Sequence, residues 1–119
     1  MKAHKDINKE RRQAQIFKAL SDETRLRIVK QLQTGSLCVC EMVEALRIPQ
    51  YKISKHLMIL KYAGLVDCER VGTWAHYFLR KDDPLLQSLF RFLRRFARPE
   101  LSGMQREAGL QFLDKSAET

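Results

Sequence analysis

Apolar residues recur at helical spacing over the first sixty positions, give way to strand-like runs, and then return to helical spacing. A first helix is expected over residues 7–20, with Ala14, Phe17 and Leu20 on one side. Ser21 is placed to cap a second helix, with Asp22 and Glu23 in its first turn, where the helix dipole favours negative charge. Leu26, Val29 and Leu32 repeat at helical spacing within it, and Gly35 ends it. Val39, Met42, Val43 and Leu46 then form an i, i+3, i+4, i+7 stripe on a short third helix. Pro49 disfavours helix in the residue before it, so a tight break falls at residues 47–49. A fourth helix covers about 50–62, burying Ile53, Leu57 and Leu60 and stopping at Gly64. Residues 65–70 and 74–79 are rich in aromatic and β-branched side chains, and 71–73 joins them as a hairpin. Asp82 or Asp83 caps a fifth helix with Pro84 in its first turn, and Arg98-Pro99 ends it.

This order predicts a mainly α fold with a small β-hairpin wing, a winged helix-turn-helix with a helical dimer interface. Residues 1–99 would form the DNA-binding and dimerisation domain, and 100–119 a tail that is weakly helical or disordered. The fifth helix carries Leu86, Leu89, Phe90, Leu93, Phe96 and Ala97, with Phe92 outside that stripe. One small domain cannot cover all of these. Phe17, Leu86, Leu89, Phe90, Leu93 and Phe96 are therefore the expected interface of a homodimer. Arg91, Arg94, Arg95 and Arg98 on the opposite side read as a solvated face.

Charge sharpens the picture. The 119 residues carry 22 Lys and Arg against 14 Asp and Glu, a formal +8. A polyanionic partner suits that excess, since neutralised phosphates release their counterions. No apolar run approaches the ~20 residues that cross a bilayer. The charged N-terminus has no apolar stretch behind it, so neither a membrane partner nor secretion is expected. A cytoplasmic setting follows, and there the three cysteines would be thiols.

With its stripe turned inward, the fourth helix presents Gln50, Tyr51, Lys52, Ser54 and Lys55. Gln can bond the paired donor and acceptor of adenine, Ser can reach base edges, and Lys and Tyr can hold phosphates. N-terminal residues of a recognition helix are the ones that meet bases, which favours this set over Lys61. His56 borders the buried stripe and reads first as a hydrogen-bonded, half-buried histidine, second as a DNA contact. Arg70 and Thr73 of the hairpin can reach backbone or minor groove, or form a plain exposed turn. The expected partner is double-stranded operator DNA, an inverted repeat matching a two-fold dimer.

Cys38 and Cys40 sit at the start of the third helix, the one that precedes the fourth. Soft thiolates select thiophilic ions, and two close ones suit trivalent arsenic or antimony. Residues i and i+2 of a helix lie roughly 200° apart around its axis. Joint chelation therefore requires the start of the third helix to be unwound, or to unwind on binding. A third ligand would be Cys68, an exogenous thiol or water, although Cys68 reads first as a half-buried strand residue. Two alternatives use the same cysteines: a regulator sensing oxidation or another metal, and a thiol redox enzyme. The latter usually accompanies a βαβ pattern, which is absent.

Several segments together resemble the ArsR/SmtB family. Residues 17–29 (FKALSDETRLRIV) are similar to the family's opening signature, and 36–43 (SLCVCEMV) to its arsenic-box segment, ordinarily ELCVCDLC. Residues 50–57 (QYKISKHL) resemble its recognition helix and 72–77 (GTWAHY) its returning wing strand. The likeness spans about residues 14–80. It implies a homodimeric winged-helix repressor that leaves its operator when arsenite or antimonite binds Cys38 and Cys40. Val43 stands where the family often has a third cysteine, and on the helical wheel it belongs to the core stripe. The family's zinc site would need histidine on the fifth helix, and its cadmium or lead site N-terminal cysteines; this sequence has neither.

Overall fold

A computed structural model describes the backbone of residues 2–96 and the side chains of residues 8–95. The chain runs α1 (Lys2–Leu20), α2 (Glu23–Leu32), β1 (Leu37–Cys38), α3 (Val39–Leu46), α4 (Gln50–Tyr62), β2 (Val66–Val71), β3 (Trp74–Leu79) and α5 (Pro84–Phe96). The strands form an antiparallel sheet in the order β1-β3-β2. This is the expected winged helix-turn-helix. The expected helix end at Arg98-Pro99, Ala97, the Phe96 side chain and the 100–119 tail lie outside the described residues.

Three expectations shift. First, α1 begins at Lys2 rather than residue 7, in a polar segment with no apolar stripe to mark it. It buries Ile16, Ala19 and Leu20, whereas Ala14 and Phe17 face outward. Second, the α2 cap is Asp22, not Ser21. Asp22 is extended (φ −118°, ψ 134°) and its carboxylate accepts the Arg25 N–H at 3.0 Å. Ser21 instead donates its hydroxyl to the Lys18 carbonyl at 2.7 Å, closing α1. Third, Leu37 and Cys38 form a two-residue strand against β3. That strand is too short for any alternating pattern.

One continuous core lies between the helices and the inner side of the sheet. Ile28 and Val29 of α2, Met42 of α3 and Leu65 before β2 meet Ile53, Leu57 and Leu60 of α4 there. All three α4 residues are fully buried, which fixes the rotation of the helix and turns its polar ridge outward. The α3–α4 turn is made by Arg47 in the left-handed region (φ 58°), with Ile48 buried beneath it and Pro49 capping α4. The Arg27 guanidinium donates to the Leu46 carbonyl at 3.2 Å, satisfying a C-terminal acceptor of α3. In the wing, Gly72 at φ 69° leads a two-residue Gly72-Thr73 turn, a position that suits glycine. Among the described residues, no helix is long and apolar enough to cross a membrane.

A polar network ties α1, α2 and α4 together at the edge of this core. Arg25 donates its Nε to the Ala19 carbonyl at 2.6 Å and an Nη to His56 Nδ1 at 3.0 Å. Arginine can only donate, so His56 Nδ1 accepts and the ring proton sits on Nε2. Burial lowers the His56 pKa below its ordinary 6.5; the Arg25 charge adds to this and Asp22 opposes it. The Arg25 N–H lowers that of the Asp22 carboxyl.

Asp22→Ala should lower stability by about 1 kcal/mol in urea unfolding, and Ser21→Ala by clearly less. The reverse order would return the cap to Ser21. Folded His56 titrates below the unfolded imidazole, so the unfolded chain takes up the proton first as pH falls. Stability attached to His56 is thus full above about pH 6.5 and is lost progressively below it. The urea midpoint should drop between about pH 7.5 and about pH 5, and drop less in His56→Gln. Equal drops in both proteins would release His56 from this role.

Candidate nucleic-acid interface and thiol site

The outward ridge of α4 carries the expected contact set. Gln50, Tyr51, Lys52, Ser54 and Lys55 are all exposed, Tyr51 by 72%. The helix contains no acidic residue, so nothing on it repels a phosphate backbone. Its N-cap, Pro49, offers no side-chain acceptor, leaving first-turn N–H groups for an anion. Sequence reasoning missed Met58 and Tyr62, exposed by 67% and 94% on the same ridge. Their spacing from Tyr51 and Lys55 was the available signal, hidden because apolar residues on a helix are ordinarily assigned to the core. His56 is half-buried with its Nδ1 committed to Arg25, as its first reading had it; the DNA-contact reading loses that nitrogen. In the wing, Arg70 donates to the Thr73 carbonyl at 3.2 Å, and both residues are exposed.

The thiol pair is assembled by a change of backbone conformation between its two members. Cys38 ends β1 and caps α3 in an extended conformation (φ −90°, ψ 167°), while Cys40 is inside the first turn. Because Cys38 is outside the helical progression, the 200° separation does not apply. The sulfurs lie 2.8 Å apart as free thiols, well beyond the ~2.05 Å of a disulfide bond. Of the two expected ways for the pair to meet, a helix start already unwound or one that unwinds on binding, the structure has the first: the chain is extended at Cys38. The Cys38 N–H donates to the Glu41 carboxylate at 2.9 Å, one arm of a capping box. Burial, then the hydrogen bond with Cys40, pushes the Cys38 thiol up to about 11. Cys38 is buried and Cys40 exposed, so the pair opens to solvent on the Cys40 side.

Cys68 does not join them. The sheet register aligns Leu37, Tyr77 and Cys68 in one row and Cys38, His76 and Glu69 in the next. Neighbouring rows project from opposite faces, so Cys68 points away from the pair. Its sulfur instead meets the Lys61 ammonium at 3.7 Å, and it lies beside Tyr77, whose pKa is raised by burial and then by Cys68. Val43 is half-buried against the core, as its place in the stripe implied. Among the described residues, no three His, Cys, Asp or Glu side chains form a set that could hold a metal ion.

The expected dimer surface divides. Leu86 and Phe90 are spent inside the protomer, at 0% and 2% exposure, so they are core and not interface. Phe17 and Phe92 are each 55% exposed, with Leu89 and Leu93 half-buried beside the core. Arg12 and Asp83, 2.6 Å apart, join α1 to the start of α5. Asp83 also accepts the Leu85 N–H at 2.9 Å, which settles it over Asp82 as the cap; Asp82 pairs with Arg80.

Residues 22–67 match the family model described as bacterial regulatory protein, arsR family. A helix-turn-helix transcriptional regulator of Methanocaldococcus jannaschii is 47% identical over 64% of this chain and 86% of its own length. The arsenical resistance operon repressor of Escherichia coli is 48% identical over 59% of this chain and 61% of its own. The Bacillus subtilis protein of the same name is 43% identical over 61% and 70%. Among solved structures, a homodimeric winged helix-turn-helix DNA-binding domain from Mycobacterium bovis superposes with TM-score 0.69 at 28% identity, covering 82% of this chain and 89% of that one. HlyU from Vibrio cholerae gives 0.68 at 26% identity, covering 75% and 95%. Most of these relatives are named as regulators or repressors of transcription, which sets aside the thiol redox enzyme. With its fold, its exposed recognition helix and these relatives agreeing, the chain belongs to the ArsR family of winged helix-turn-helix transcriptional regulators.

Proposed function

We propose that this protein is a cytoplasmic, homodimeric repressor that holds an inverted-repeat operator and releases it when arsenite or antimonite binds Cys38 and Cys40. The observation that carries this reading is the 2.8 Å thiol pair at the entry to the helix-turn-helix. The names of the Escherichia coli and Bacillus subtilis relatives support arsenic as the element sensed. Gln50, Tyr51, Lys52, Ser54 and Lys55 enter the major groove, and Arg70 and Thr73 lie along the adjoining backbone. Phe17 and Phe92 supply exposed apolar surface for a second copy. Two-fold pairing through such a surface sets two recognition helices about one DNA turn, ~34 Å, apart.

Arsenous acid condenses with the two thiols: two As–O bonds break, two As–S bonds form, and two waters leave. Both thiol protons depart in those waters. Once bonded to arsenic, the Cys38 sulfur can no longer rest against Cys40 and the α3 N-terminus as it does in the free protein. Cys38 is at once the cap of α3 and the edge of the wing sheet, so its rearrangement reaches both DNA-contacting elements. Release follows if arsenic favours the rearranged state over the DNA-bound one. Oxidation, or a divalent ion such as cadmium, lead or zinc, is the second reading, since a close dithiol is open to each.

The test is competitive release from a duplex selected in vitro, followed by fluorescence anisotropy, across arsenite, antimonite, cadmium, lead, zinc and peroxide. Arsenite and antimonite should release the wild-type protein at the lowest concentrations. Cys38→Ser and Cys40→Ser should each raise the arsenite required by at least about tenfold, with DNA affinity retained. Cys68→Ser should leave it unchanged. Release of both serine variants at wild-type sensitivity would sink the proposal.

A further inference from the structure

Two thiols leave one position on trivalent arsenic unfilled, and neither Val43 nor Cys68 is placed to fill it. Beside the pair stands a group that sequence reasoning passed over. In the ladder between β1 and β3, His76 is the direct partner of Cys38, and Glu69 of β2 is the direct partner of His76. Direct cross-strand partners project from the same face with Cβ atoms about 4.5–5.5 Å apart. The Cys38–His76–Glu69 row thus runs across all three strands and sets an imidazole next to the buried thiol. His76 is half-buried and Glu69 is exposed, so the row opens toward solvent at its Glu69 end. His76 is not a ready third ligand, because no three such side chains converge on a metal-holding position among the described residues.

We propose that His76 is a positioning residue for arsenite, hydrogen-bonded to the hydroxyl that remains on arsenic after both thiols have condensed. The inference rests on the reading of Cys38 and Cys40 as the arsenite site. One As–OH survives the exchange described above, and a hydroxyl both donates and accepts. Imidazole offers one nitrogen of each kind, so either orientation makes a bond. Carboxylates behind metal-site histidines fix ring orientation, and Glu69 occupies the corresponding place in this row. His76 thereby favours a ligand that keeps a hydroxyl over one that does not.

Phenylarsine oxide provides the discriminating probe. Hydrated, it carries two hydroxyls and one phenyl group, so two thiols consume both hydroxyls and leave none for His76. Wild type, His76→Ala and His76→Gln would be compared for direct binding and for DNA release with arsenite and with phenylarsine oxide. His76→Ala should weaken arsenite by about tenfold or more while leaving phenylarsine oxide unchanged or improved. Gln, which can still hydrogen-bond, should recover part of the arsenite loss. Equal weakening toward both arsenicals would overturn the proposal by making His76 merely structural, and no weakening toward either would overturn it directly. Failure of the wild-type protein to bind either compound would instead refute the thiol site itself, and the inference with it.

Discussion

The extended backbone at Cys38 is the constraint on which the rest of the site depends. A helical residue there would send its sulfur to the far side of α3 from Cys40. Held at ψ 167°, Cys38 instead brings the sulfurs within 2.8 Å, closes the ladder to β3 and caps the next helix. Sheet pairing on one side and the Glu41 carboxylate on the other hold it in that conformation. The thiol pair and the architecture therefore share one residue, which belongs both to the wing sheet and to the entry of the helix-turn-helix.

The recognition helix is positioned by different physics. Ile53, Leu57 and Leu60 contribute burial without direction, and together they leave one rotation of α4 that covers all three. The Arg25 network then fixes the middle of the helix against α2 through His56, a contact with orientation but modest energy. Apolar packing decides which face looks outward, and the polar network restricts how the helix slides.

Legibility in the sequence tracked the range of each interaction. The α3 and α4 stripes, the hairpin and the break at Pro49 are local periodicities, and the structure has them where expected. Cap placement missed by one residue at α2, because Ser21 and Asp22 are both good caps and only the contact with Arg25 separates them. Strand β1 was illegible, since two residues carry no period and the pairing partner is nearly forty positions away. That omission left open whether the helix start is unwound beforehand or only on binding. The inward turn of Leu86 and Phe90 was hidden for a related reason. Nothing in the α5 pattern tells which apolar residues serve the protomer and which a second copy.

The brevity of β1 also decides where the fold yields. Only Leu37 and Cys38 pair with β3 from that edge, whereas β2 pairs with it along six residues. A two-residue ladder opens at a small fraction of the free energy needed to unfold the whole domain. The thiol site therefore lies on the least tethered part of the sheet, beside helices whose core contacts need not break. Local opening at this edge can rearrange the thiol pair on its own, without melting the protein.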